Sequence, residues 1–303
     1  MTLSELSERR RAQLLCGGGL SFTTGEFNVR VTSTLTTIHD GIGILYGACQ
    51  LSKDSDFVDF HVKLDSPISL RRLIRPQVRF LLDGRAPFSP LPFSQAMPMF
   101  EWGLNWCVTT HANHYLIVHA AVVEKNGRAA MLPAPPGSGK STLCAGLVLR
   151  GWRLLSDELA LICLSSGLIV PMPRPISLKN QSIEIIRSFS TDAVFSPSVK
   201  DTMKGTVALM RPPATSVAKE VEACKLRWIV FPQFKVKSRA TLTPVTKARA
   251  FMRVADNSFN YSVLGHVGFN ILADTIASID AYDFDYGALE DGITWFDQLE
   301  ASP

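Results

Sequence analysis

Nine consecutive residues, Ala134-Pro135-Pro136-Gly137-Ser138-Gly139-Lys140-Ser141-Thr142, combine glycines, a lysine and hydroxyls in an order suited to a polyphosphate. Gly137 and Gly139 permit torsions and close approach that a side chain would forbid. Successive N–H groups after Pro136, from Gly137 to Thr142, can then converge on phosphate oxygens, reinforced by the positive end of a following helix. Lys140 is spaced to reach the β- and γ-phosphates, and the Ser141 hydroxyl to ligate Mg²⁺. The segment has the Walker A form, with Ala134 where glycine is commoner, and predicts binding of ATP with Mg²⁺. A glycine-rich turn without a ligand is the plainer reading. The apolar strand before the loop and the helical stripe Leu143, Leu147 and Val148 after it argue against that.

A second element, Trp152-Arg153-Leu154-Leu155-Ser156-Asp157-Glu158, follows at a telling distance. A helix from Lys140 to Arg150 advances about 16 Å, and Gly151 is well placed to cap it. A strand from Trp152 to Ser156 returns about 16 Å. Asp157 and Glu158 are therefore expected beside the loop. Two adjacent carboxylates there suit two tasks, holding Mg²⁺ and accepting the proton of an attacking hydroxyl. A solvated acidic pair at a strand end is the plain alternative.

These parts must be carried by a scaffold, and the chain is long enough to build one. Its 303 residues are 46% hydrophobic and 19% charged, which excludes wholesale disorder. A net charge of +4 does not suggest a dedicated nucleic-acid binder. No apolar run approaches the length of a membrane span, and no signal-peptide core follows the charged start. Six cysteines without CxxC spacing read as reduced thiols of a cytoplasmic protein rather than a zinc site.

Residues 1–95 read as a smaller β-rich region and 96–303 as the domain that carries the phosphate loop. In the first, Phe27–Val31 and Phe57–Val62 alternate as half-buried strands, with turns at Asp40-Gly41-Ile42-Gly43 and Asp65-Ser66-Pro67. The proline-rich run 86–92 reads as a linker, and a helix is expected over Met97–Thr110. In the second, Tyr115–Val123 is a buried strand, Asn126-Gly127 a two-residue hairpin turn, and Arg128–Leu132 the return into the loop. Further strands near Trp228–Phe234 and helices near Ile183–Ser188, from Thr246 and from Ser262 complete the pattern.

The stretch from His119-Ala120-Ala121-Val122-Val123 through the loop to Arg150-Gly151-Trp152-Arg153-Leu154-Leu155-Ser156-Asp157-Glu158 resembles the kinase domain of HPr kinase/phosphorylase. Pro173–Asn180 and Lys204–Val207 are more similar to its "kinase A" subgroup. The resemblance implies an α/β, phosphoenolpyruvate carboxykinase-like P-loop fold with a mixed or antiparallel sheet. It also implies ATP-dependent phosphorylation of a serine or threonine hydroxyl, with His119 close to the reacting phosphate. One of the acidic pair would be the base (Asp157 is favoured) and the other, Glu158, would join Ser141 on the metal. Glu158 stands where the carrier kinase usually has aspartate. The glycine-rich signature of the reverse reaction is missing, so phosphorylase activity is not implied.

Transfer needs more positive charge on the γ-phosphate than Lys140 alone. Lys204 and Arg211 are the favoured candidates, with Lys179 beside them. The basic run Arg71–Arg79 reads as a solvated face, and the aromatics Tyr261, Phe269, Tyr282, Phe284, Tyr286, Trp295 and Phe296 as core. The sequence thus predicts a kinase for a peptide or small-protein acceptor, with neither nucleic acid nor membrane as partner and self-association left open. Rival readings are a kinase of a small molecule such as free serine, and a nucleotide-gated peptide-binding module.

Overall fold

Alternating apolar residues make the first third of the chain a sheet with helices on it. The computed structural model describes residues 1–53, 55–67 and 74–301. After helix Glu8–Cys16 (α1), strands Leu20–Thr24 (β1) and Phe27–Ser33 (β2) pair antiparallel. Helix Thr36–Leu45 (α2) crosses to Phe60–Asp65 (β3), which is parallel to β2. Gln77–Leu82 (β4) and Leu91–Pro92 (β5) follow antiparallel, giving the order β1-β2-β3-β4-β5. Helix Ala96–His111 (α3) then packs beneath.

Two sequence expectations change here. Asp40-Gly41-Ile42-Gly43 lies inside α2, not in a turn. Gly41 serves close packing, because a Cβ there would sit 2.3 Å from the Met97 sulfur of α3. The strand expected from Phe57 starts at Phe60. In the basic run, residues 71–73 lie outside the described residues, while Arg79 forms a two-pronged ion pair with Asp65.

The second sheet is built around Tyr115–Lys125 (β6), which the Asn126-Gly127 turn folds back onto Arg128–Pro133 (β7). Both turn residues have positive φ, 52° and 80°, as a tight hairpin of this hand requires. Helix Lys140–Leu149 (α4) leads to Arg153–Ser156 (β8), Leu159–Cys163 (β9) and Ile169–Val170 (β10). Ile176–Lys179 (β11), Val199–Thr202 (β12) and Gly205–Met210 (β13) form a small antiparallel sheet, with helix Gln181–Phe189 (α5) after β11. Beyond Ala214–Val217 (α6), Lys225–Phe234 (β14) adds parallel to β7. Thr241–Pro244 (β15), Lys247–Asp256 (α7), Tyr261–Ala277 (α8), Asp280–Tyr286 (β16) and Leu289–Ala301 (α9) complete the chain. The large sheet runs β10-β9-β6-β7-β14-β16-β15, with β8 also on β6. It mixes parallel and antiparallel pairs, so the protein is α/β with mixed sheets.

β6 divides the interior. Its even residues Leu116, Val118, Ala120 and Val122 face a core shared with α7 and α8. On the other face, Tyr115 and Ile117 enter the core of the N-terminal sheet, while Ala121 and Val123 enter that of α4 and α9. The core of residues 1–95 is therefore completed by α3, β6 and β9. Of the carboxyl-terminal aromatics, Phe284, Tyr286 and Phe296 are buried, whereas Phe269 is half exposed. No helix among the described residues is long and apolar enough to cross a membrane.

Candidate functional site

The register of β6 brings the candidate residues together. β8 and β9 lie end to end along the same edge of β6, one from Arg153 to Ser156 and the other from Leu159 onward. Asp157 and Glu158 form the break between them, so the acidic pair interrupts one long strand rather than ending it. On the opposite edge, Ala120 pairs with Pro133, the last residue of β7 before the glycine-rich loop. His119 lies between, on the face that carries Ile117 and Ala121.

The loop approaches the ends of β14 and β16. Gly137 and Gly139 both have positive φ, 86° and 87°. A Cβ on Gly139 would sit 2.4 Å from the Tyr286 hydroxyl and 2.9 Å from Phe234 Cβ, so only glycine fits. The Tyr286 hydroxyl donates to Gly139 O at 3.0 Å, and the Phe234 N–H to Ser138 O at 2.9 Å. Among the described residues, no side chain caps the N-terminus of α4. Its positive end opens on a cavity of about 880 Å³ lined by every residue from Pro135 to Thr142.

Lys140 is 7% exposed, and among the described residues its Nζ has no hydrogen-bond partner. Burial lowers its pKa, against the pull of Asp157 and Glu158. An ammonium held dry and unpaired at a helix N-terminus is costly without an anion. The Ser138 hydroxyl is likewise buried without a partner.

The two carboxylates differ. Asp157 is buried; its Oδ2 accepts from Ser141 Oγ at 3.3 Å and from the Ser177 N–H at 3.0 Å, while Oδ1 has no partner among the described residues. Burial, and then the charge of Glu158, push it up to about 6. Glu158 lines the large cavity and accepts from Asn105 Nδ2 at 2.9 Å. Burial works to raise its pKa, but Lys204, Lys179, Lys140 and His119 together hold it below the usual carboxylate range. Lys179 Nζ is 4.0 Å from Glu158 Oε1. Burial and then Lys140 depress His119 to about 4, so the ring is neutral near pH 7.

His119, Glu158, Lys179 and Lys204 all line the cavity with the loop. Lys204 Nζ stands 5.1 Å from the Trp102 ring centroid, a cation–π distance. Arg211 is not brought there. It is exposed after β13, with its N–H bonded to Val194 O.

Sequence reasoning missed the support behind Glu158. Arg174 is buried between β10 and β11, where Nη1 donates to Asn105 Oδ1 at 2.9 Å and Nη2 to Glu101 Oε2 at 2.6 Å. The Tyr46 hydroxyl donates to the other oxygen of Glu101. Two polar residues, Glu101 and Asn105, one helical turn apart in the otherwise apolar stretch Ala96–Val108 of α3, were the available signal.

Among the described residues, no group of histidine, cysteine and acidic side chains could by itself hold a metal ion, and all six cysteines are free thiols. No curated protein matches the chain. Residues 95–230, from α3 through the loop and acidic pair into β14, match a family model described as SynChlorMet cassette protein ScmC. This finding overturns the resemblance to HPr kinase/phosphorylase and its kinase A subgroup. A phosphate loop followed by an acidic pair is too short and too widely usable to fix a family. The central part of the chain is similar to ScmC.

Proposed function

We propose that this chain is an ATP- and Mg²⁺-dependent phosphotransferase, built on a P-loop architecture, that acts on a serine or threonine hydroxyl of a peptide or small protein. The observation that carries the reading is the buried, unpartnered Lys140 Nζ beneath a glycine loop and an uncapped helix N-terminus. A triphosphate is a ligand whose charge suits that cavity. The setting in which this chemistry fits is the cytoplasm, where ATP is abundant.

The residues present suit Mg²⁺. Ser141 and Asp157 would hold it, since their oxygens are neighbours and Asp157 Oδ1 has no other partner. The ion supplies neutralisation of phosphate charge and a fixed phosphate orientation. This exchanges the roles expected from sequence, leaving Glu158 for the acceptor. Glu158 faces the cavity, ionised and held by Asn105. There it can orient the hydroxyl and take its proton as the new O–P bond forms and the bond from the γ-phosphorus to the β,γ-bridging oxygen breaks. Little basicity is needed, because the transition state is loose and positioning dominates. Neutral His119 is a second proton acceptor beside it. Lys140, Lys179 and Lys204 bring positive charge to the equatorial oxygens.

A peptide acceptor suits the cavity rim, where Met203 is 96% exposed and Ile185 is also open to solvent. The test is intact-mass spectrometry of candidate peptides and of free serine after incubation with the protein, Mg²⁺ and ATP. A gain of about 80 Da, the mass of one transferred phosphoryl group, should appear on a peptide and vanish with Lys140→Ala and Glu158→Gln. Gain on free serine alone would replace the peptide reading. ATP binding without transfer to any acceptor would favour a nucleotide-gated binding module.

A further inference from the structure

We infer that the nucleobase of the bound nucleotide rests on the ring of Phe234, at the carboxyl ends of β14 and β16, and is held by stacking with little discrimination between purines. This rests on the nucleotide-binding reading above and adds the direction and recognition of the base.

The direction follows from topology. β7, β14 and β16 are mutually parallel neighbours, so their carboxyl ends lie along one edge of the sheet. Ligands of open α/β sheets bind beyond that edge. β7 runs into the glycine loop, and the acidic pair lies on the far side of β6 from β14. The cavity is accordingly two-ended. Glu158, Lys179 and Lys204, beside the neutral His119, make one end charged, whereas Phe234, Tyr286, Ala288 and Leu289 make the other mostly apolar. A triphosphate whose reacting end faces the carboxylates and lysines must send its base the other way.

Phe234 is built as a platform. Its backbone is tied to the loop through Ser138 O, yet the residue is 42% exposed. Its ring meets Tyr286 edge-on, with centroids 5.5 Å apart and planes at 69°. Tyr286 is buried and spends its hydroxyl on Gly139, so it braces the ring rather than sharing its work. The floor is stiff as well. A Cβ on Gly287 would lie 2.4 Å from Ser238 O, and Lys235 N–H donates to Tyr286 O at 2.9 Å. The flanking charges Lys235 and Asp285 neutralise each other at 2.6 Å. Stacking on an aromatic face tolerates any base, because every base has a π-face.

Isothermal titration with Mg²⁺ and, in turn, ATP, GTP and inorganic tripolyphosphate tests this on the full chain. Wild type should bind ATP and GTP within about tenfold of each other. Phe234→Ala should lose about 10- to 100-fold for both nucleotides, while tripolyphosphate binding stays unchanged. Phe234→Trp should keep nucleotide affinity and show fluorescence quenching by ATP that tripolyphosphate does not cause. Nucleotide affinity unaltered in Phe234→Ala would overturn the inference, as would equal losses for nucleotide and tripolyphosphate. If wild type bound tripolyphosphate but discriminated ATP from GTP by more than a hundredfold, stacking recognition would be wrong while the phosphate site stood. Failure of wild type to bind tripolyphosphate or ATP would remove the phosphate site and this subsite with it.

Discussion

Asn105 Nδ2 donates to Glu158 Oε2 at 2.9 Å, while Asn105 Oδ1 accepts from Arg174 at the same distance. The amide is thereby fixed at both ends, and it fixes the carboxylate in turn. Charge-assisted bonds of this kind are short and directional. Asn105→Leu should therefore lower kcat about 10- to 100-fold by letting Glu158 drift, with the KM for ATP nearly constant. Steady-state kinetics on the phosphorylated peptide would show it. A rise in KM for ATP with unchanged kcat would contradict this positioning role.

Arg174 and Glu101 form a buried ion pair, 7% and 6% exposed at their side chains. Removing one partner strands the other charge in the interior. Glu101→Leu and Arg174→Leu should each destabilise the fold by about 3–5 kcal/mol, and the double variant should recover much of that loss. Urea unfolding of the three variants is the measurement.

His119 should titrate near pH 4 in the nucleotide-free protein, followed by the imidazole proton shifts in NMR. The sign for stability follows directly. A folded pKa near 4 lies below the unfolded value of about 6.5. Neutral His119 thus contributes stability that is present above pH 6.5 and lost as pH falls from there towards 4. His119→Phe should flatten that part of the urea-midpoint profile against pH.

Gly127 closes the β6–β7 hairpin with φ 80°. Gly127→Val should cost about 1–2 kcal/mol, since a branched side chain is strained in that region. The urea midpoint should fall with an unchanged slope.

Where the governing contacts are short in sequence, the residues declared the structure. The Asn126-Gly127 turn, the strand–loop–helix around Lys140 and the cap at Gly151 each depend on a few neighbouring torsions. Helix α3 followed from apolar spacing, and the helices expected from Thr246 and Ser262 run from Lys247 and Tyr261. What could not be read depends on register and on distant pairing. That β8 and β9 share one edge of β6, with the acids at the break, needs the partner strand. Asn105, Arg174 and Phe234 acquire their surroundings from elements at least 53 residues away in two of these cases. Gly41 read as a turn because a helix-packing glycine and a turn glycine look alike until Met97 is in place. Arg211 had the right charge, but β13 carries it away from the cavity.

The burial of Arg174 also has a meaning in time. Chains emerge from the ribosome amino end first, and domains tend to fold as they appear. Glu101 must wait 73 residues for its counter-charge. The sheet of β1 to β5 must wait as long for the side chains of Leu159 and Leu161 that close its floor. The core of β1 to β5 and the counter-charge of Glu101 are therefore completed only after the loop and both acids have been synthesised. The cavity and the support behind it thus share a stretch of chain, residues 157–174, that is made after the sheet it completes.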